Sequence, residues 1–405
     1  MSESVAESPR LYDRNFALAL ASQMCFVIAN TLMAHYSRWI EFLGGDLRQV
    51  GLIMGAGATL GLLLRPWIAQ WINRLGARTM WLVGYILFAI ASVSNLWLSE
   101  LHFSIYLMRA GTLLAAAIVF ASGLTYISQT APEHRRTEAI GLLGAGGFLG
   151  MLIGPWLGDL ILGTGQAGSV LSRQHSDFVW LFLVAAAANV LPAFFLIFMR
   201  TPNSRGTRRS VKLADFIATT IQYWPGKILW VDFVFGVCMT VPFIFVASFI
   251  DREPLVLGGQ SVIGVFFFCY AGWGLAVRLW LRDLPDRIGP HKVLIVGIAL
   301  MAIGMFSYAI VNPSHAWLIV VPALLTGTGH GLMFHTMTSL TLRPFPSEVR
   351  GTGSALALMM LDLGTLTGGP VLGWIADQFG FALMFAAIGT CCLIVLAMYA
   401  SPRFP

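Results

Sequence analysis

The sequence predicts an all-α membrane protein: twelve transmembrane helices in two pseudo-symmetric six-helix bundles. Three observations carry that expectation. Apolar runs of about 20 residues, each long enough to span a bilayer, recur along the whole chain. Of its 405 residues 57% are hydrophobic and 11% charged, where a soluble domain carries about 25% charged residues. One stretch also occurs twice. Leu64 to Gly84, LRPWIAQWINRLGARTMWLVG, is echoed 213 residues later by Val277 to Gly297, VRLWLRDLPDRIGPHKVLIVG. Arg65 falls on Arg278, Trp67 on Trp280, Arg74 on Arg287, Gly76 on Gly289 and Gly84 on Gly297. Such agreement marks an internal duplication, in which each copy is a short basic loop joining two apolar helices.

The twelve spans fall near 16–37, 49–71, 79–98, 103–127, 139–162, 178–199, 228–250, 260–281, 292–311, 316–341, 352–375 and 381–400. In lipid each must be a helix, because its backbone groups have no water to bond. An even count puts both termini on one side. The termini and loops of that side hold 18 of the 25 Lys and Arg residues. The opposite loops hold Arg38, Arg48, Arg173 and Arg252, while Arg65, Arg109 and Arg278 lie within spans. The positive-inside rule therefore places both termini in the cytoplasm, with a bacterial cytoplasmic (inner) membrane as the expected location.

Residues 1–199 and 228–405 are the two expected bundles, joined by a cytoplasmic linker at 200–227. The linker opens with the basic run RTPNSRGTRRSVK. Leu213, Phe216, Ile217 and Ile221 then recur at helical spacing, as in a short amphipathic helix on the membrane surface. The N-terminus, MSESVAESPR, lacks the basic n-region of a cleaved signal peptide, so span one is expected to be retained. Cys25, Cys238, Cys269, Cys391 and Cys392 sit inside apolar runs without metal-ligand spacing and read as buried, inert thiols. The longest opposite loop, about 163–177, carries no chemical signature.

Asn73-Arg74-Leu75-Gly76-Ala77-Arg78 and Asp286-Arg287-Ile288-Gly289-Pro290-His291 resemble the loop signature of the major facilitator superfamily. That signature is Gly-x-x-x-Asp-Arg-x-Gly-Arg-Arg/Lys between spans two and three, with a weaker copy between eight and nine. The glycine makes a tight turn, and the Asp and Arg pair across helix ends to form a cytoplasmic gate. In the first copy Asn73 replaces the Asp, Ala69 the leading Gly and Ala77 an Arg; the second keeps Asp286. The gate network is therefore expected to rest more on Asp286 and Arg287 than on Asn73 and Arg74, with Gly76, Arg78 and Gly289 as the remaining motif positions.

Span five carries Gly141, Gly150, Gly154-Pro155 and Gly158, with a degenerate copy at Gly364, Gly368-Gly369-Pro370 and Gly373 in span eleven. The first is similar to the superfamily's antiporter motif, Gly-x8-Gly-x3-Gly-Pro-x2-Gly-Gly, with Asp159 at its last Gly. Glycines so spaced let helices approach closely, and Gly-Pro loosens the helix. In the family this motif accompanies proton-driven export; read without the family it is a small-residue packing face. The loops Pro132-Glu133-His134-Arg135-Arg136 and Pro346-Ser347-Glu348-Val349-Arg350 likewise pair across the halves.

Ionisable groups deep in a span are costly unless paired or hydrated. Asp362 falls near mid-membrane, and Phe148 occupies the position that the repeat relates to it. Asp362 reads as a proton-coupling group or as a structural ion pair. In the family spans two and eleven pack together, which makes Arg65 its expected partner, although its duplicate at Arg278 also suggests a structural role. Arg109 matches a membrane-buried Arg that the family often has in span four. The family's cavity is lined by spans one, four, seven and ten. There Gln23, Asn30 and Ser37 form a polar stripe every seven residues, and Thr326 and His330 lie one turn apart. His35 and Asp232 sit near span ends and read as wet.

The resemblance implies a secondary active transporter of a small, partly apolar molecule, working by alternating access. Proton-coupled efflux (antiport) leads, with Asp362, Arg109, Arg65 and His330 as coupling candidates and Gln23, Asn30, Ser37, Arg109, Thr326 and His330 as cavity candidates. The alternatives are proton-coupled uptake of a sugar or organic acid, and a non-transporting membrane sensor or assembly protein. No metal, no cofactor beyond the proton gradient, no nucleic acid and no enzymatic cluster is expected. The partners are the substrate and the lipid bilayer, and the chain is expected to act as a monomer.

Overall fold

The computed structural model describes residues 13–132, 136–162, 173–200, 213–258, 260–281, 284–346 and 349–401. Most of the basic linker run, most of the 163–177 loop and parts of the two paired loops, with the side chains of Asn73 and Asp286, lie outside the described residues.

Among the described residues twelve helices are long and apolar enough to cross a bilayer: Arg14–Phe42, Leu47–Ile68, Ala77–Trp97, Ser104–Ile127, Leu142–Ile161, His175–Ile197, Ile228–Arg252, Ile263–Trp280, Pro290–Ile310, Pro313–Leu342, Thr352–Phe379 and Phe381–Ala400. They are numbered below as spans one to twelve. The face holding the chain ends is the terminal face and the opposite one the far face. Leu63, Ile90, Val190, Ile197 and Ile303 stay exposed on the helices. Toward lipid such side chains carry no penalty, because the surroundings are as apolar as they are.

The duplication is visible in the packing. Span one lies against spans five and six, span three against four and six, and span two against four. In the second half, span seven lies against eleven, nine against ten and twelve, and eight against ten. The halves meet along two seams, spans two and eleven on one side and five and eight on the other. Glycines make the first seam. A Cβ on Gly369 would stand 2.8 Å from the Gly51 carbonyl oxygen, and one on Gly373 2.6 Å from that of Leu47. Only bare backbone permits that approach.

The repeated loops fold alike. Gly76 and Gly289 adopt φ of +88° and +91° and each caps the helix that follows. Such angles are open to glycine and strained for other residues, which explains why the turn glycine survives in both copies. Between spans seven and eight a small antiparallel pair, Val256–Leu257 with Gln260–Ser261, interrupts the helices. The amphipathic helix forms at Leu213–Gln222, with Phe216 buried and Leu213, Ile217 and Ile221 exposed in a row. The cysteine expectation needs correction: Cys238 and Cys392 are buried and adjacent, but Cys25 and Cys269 are half-buried and Cys391 is exposed on its helix.

Candidate functional site

Span one is not a single helix. An α-helix at Arg14–Leu32 passes through a 3-10 turn at Met33–His35 and resumes at Tyr36–Phe42. Its inner edge fits the glycine face of span five one residue per turn. A Cβ on Gly150 would collide with Val27, one on Gly154 with Thr31, and one on Gly158 with His35. Polar bonds reinforce the fit: the Thr31 hydroxyl donates to the Gly150 carbonyl at 3.0 Å, and His35 Nε2 donates to the Pro155 carbonyl at 2.9 Å.

That seam ends in a buried ion cluster at the far face. Arg38 is fully enclosed. Its Nη1 donates to Asp159 Oδ1 at 2.6 Å and to His35 Nδ1 at 2.8 Å. Its Nε and Nη2 grip Asp251 at 2.9 and 2.7 Å, a two-pronged guanidinium–carboxylate pair. Arg173 adds a third bond to Asp251 at 2.7 Å. The two arginines balance the two aspartates. Because His35 accepts from Arg38 at Nδ1, its proton sits on Nε2, the neutral tautomer. Asp251 belongs to span seven and the other members to the first half, so the cluster ties the halves together. More exposed, Arg252 Nε reaches Glu41 at 3.0 Å across the same face.

These placements correct the sequence expectations. Arg38 is not a loop residue but part of span one, and Arg173 is half-buried in the cluster rather than free in a loop. His35 is dry rather than wet. Asp232 is also dry: the Thr341 hydroxyl donates to its Oδ2 at 2.7 Å, while Oδ1 is enclosed without a partner.

Mid-way through the other seam, Arg65 meets Asp362. Arg65 Nε and Nη2 both donate to Asp362 Oδ2, at 2.8 and 2.5 Å. The pair is semi-enclosed, with 21% of the Asp362 side chain exposed, and Oδ1 is neither bonded nor sealed off. The duplicate position differs. Arg278 lies over the Phe148 ring, 5.9 Å from its centroid, and against Gly144.

The remaining expected residues scatter. Gln23 is buried toward Gly123 and Trp81 in spans four and three. Asn30 is half-buried. Ser37 is buried and donates to the Ala34 carbonyl. The 3-10 turn at Met33–His35, with three residues per turn rather than 3.6, lies between Asn30 and Ser37 and shifts only Ser37 in phase relative to the other two. Thr326 bonds the Pro322 carbonyl and packs on Gly304 of span nine, inside the second bundle. His330 does lie between the halves. Its Nδ1 shares a 2.6 Å hydrogen bond with the Tyr270 hydroxyl, within a cage of Phe148, Phe235 and Phe334. Tyr270 comes from a π-helical turn at Phe268–Gly272, a distortion frequent at functional sites. At the terminal face Arg74 and Arg287 are exposed, and Arg78 donates to the Ile197 carbonyl at 3.0 Å.

Arg109 stands apart from the other arginines. It does not reach Asp362. Its guanidinium lies 5.2 Å from the Tyr36 ring centroid, and Nε is buried without a hydrogen bond. A charged residue at the centre of a membrane helix costs about 2.5–3.5 kcal/mol even on insertion scales. A desolvated cation–π contact returns about 2 kcal/mol. The ring alone does not balance the charge.

The sequence matches the family described as Major Facilitator Superfamily over residues 15–364 and 284–404. It is 24% identical over 361 residues to the staphylopine export protein of Staphylococcus aureus, covering 88% of this chain and 87% of that protein. It is 24% identical over 352 residues to the multidrug resistance protein MdtG of Salmonella paratyphi C, covering 83% and 80%. Among solved structures, a D-xylose-proton symporter superposes with a TM-score of 0.75 at 15% identity, covering 95% of this chain and 96% of that one.

Proposed function

The chain belongs to the Major Facilitator Superfamily and is an integral membrane transporter; from that premise we propose that it exports a small, partly apolar molecule across a bacterial cytoplasmic membrane in exchange for protons. The terminal face, rich in Lys and Arg, is then cytoplasmic. The observation that carries the reading is the Arg65–Asp362 pair. It bridges the two halves, and the position that the repeat relates to Asp362 holds Phe148, so the carboxylate is not a scaffold residue common to both halves. Asp362 keeps one oxygen free to take a proton. Loading that proton neutralises the carboxylate, weakens its hold on Arg65 and loosens the seam. Proton binding is in this way tied to movement of the halves, the requirement for coupling in alternating access.

Export is favoured by the span-five glycine motif and by the two relatives, a staphylopine export protein and a multidrug resistance protein. Uptake is the alternative, since the fold is shared with a proton symporter. An imposed gradient separates the two. In proteoliposomes with an acidic lumen, protons leaving should drive substrate in if the carrier is an antiporter. Accumulation that requires an alkaline lumen instead would establish symport.

A further inference from the structure

We propose that Arg109, backed by the face of Tyr36, binds a carboxylate on the transported molecule. This rests on the reading that the cargo is small and partly apolar, and narrows it to an apolar body bearing one negative charge. A guanidinium stays protonated in any protein environment, so a buried one needs an anion. Two other arginines inside the fold have one: Arg38 holds Asp159 and Asp251, and Arg65 holds Asp362. Among the described residues no carboxylate pairs with Arg109, and residues 163–172 and 259 contain no Asp or Glu. The residue is 6% exposed. Its Nε is enclosed without a partner, and its terminal nitrogens make no hydrogen bond among the described residues, leaving a planar donor edge open.

The surroundings are built to hold that edge. The Tyr36 hydroxyl donates to Asn95 Oδ1 at 2.6 Å, which pins the ring and leaves only its face for the cation. At Gly57 an added Cβ would stand 2.8 Å from Arg109 Cγ, so the glycine leaves room for the arginine stem at the point where span two breaks between two helical segments. One guanidinium fork matches one planar carboxylate. A phosphate dianion would call for a second free cation.

The test uses purified full-length protein and its thermal unfolding, with phenylacetate, indole-acetate and octanoate each compared with its neutral primary amide. At least one acid should raise the unfolding temperature where its amide does not. Arg109→Gln should erase that preference, weakening acid binding at least about tenfold. Arg109→Lys should keep a weaker preference, having charge but no fork. Should the glutamine variant fail to fold, Tyr36→Leu serves: it spares the cation, so preference for acid should persist. Amides that match their acids, a preference that survives Arg109→Gln, a preference lost in Tyr36→Leu, or three acids without effect would each overturn the proposal. The assay uses no gradient, so its failure leaves proton-driven export standing, and failure of coupling leaves carboxylate binding standing.

Discussion

Gly154→Leu is expected to abolish transport while expression and ligand-induced stabilisation remain measurable. A side chain at 154 has nowhere to go. Its Cβ alone would overlap the Thr31 hydroxyl and stand 2.7 Å from the Ile28 carbonyl oxygen, and backbone does not yield as a flexible side chain does. Overpacking of this kind costs about 1–3 kcal/mol or more, and relief requires spans one and five to part. Parting removes the Thr31–Gly150 and His35–Pro155 bonds, and with them the support that aims Arg38 at its aspartates. The loss in transport rate should be about a hundredfold or greater, as 3 kcal/mol implies. Gly147→Ala in the same helix meets nothing within 4 Å and should transport normally. An active Gly154→Leu protein, or equal damage from both changes, would show that the glycine face is mere filler.

Asp251→Asn is expected to shift the protein toward a form open at the far face. The substitution preserves shape but removes the charge gripped by Arg38 and Arg173, leaving buried guanidinium under-compensated. Breaking a buried pair from one side costs about 3–5 kcal/mol, over about a hundredfold in population. Spin labels at Glu100 and Ser314, both exposed and on opposite halves, should move apart in the variant. Arg252→Gln, which removes a more exposed pair, should change the distances little, since such pairs contribute about 1 kcal/mol or less. Identical distance distributions in Asp251→Asn and the parent would mean that the cluster does not hold the far face shut.

Much of this architecture was legible in the sequence, for physical reasons that also define where legibility stopped. The spans announce themselves because bilayer thickness sets their length, and the duplication because a positive-φ turn admits only glycine at Gly76 and Gly289. Arg65 and Asp362 were conspicuous as charges inside apolar runs, and their meeting follows from the packing of spans two and eleven. Arg38, His35 and Asp251 were illegible because they lie at span ends, where hydropathy does not distinguish a loop from a buried helical turn. What buries Arg38 is a carboxylate 213 residues away, and what extends span one past residue 37 is a 3-10 turn rather than a change in composition. The same turn sets Ser37 out of phase with Gln23 and Asn30, which share the regular helix before it. Asp159 was visible only as a departure from a glycine pattern, although it is the counter-charge that Arg38 requires. Asp232 reads as wet from its place one turn from the start of its helix, yet neighbouring helices enclose it.

Coupling through Asp362 is tested most directly by Asp362→Asn in proteoliposomes with an imposed pH gradient. Asparagine keeps the shape and much of the hydrogen bonding but cannot titrate. The variant should still bind substrate and exchange labelled for unlabelled substrate across the membrane, yet fail to accumulate it when a gradient is applied. If Asp362→Asn remains fully gradient-driven, Asp362 is a structural tie between the halves, and the enclosed carboxylate of Asp232 becomes the group to test.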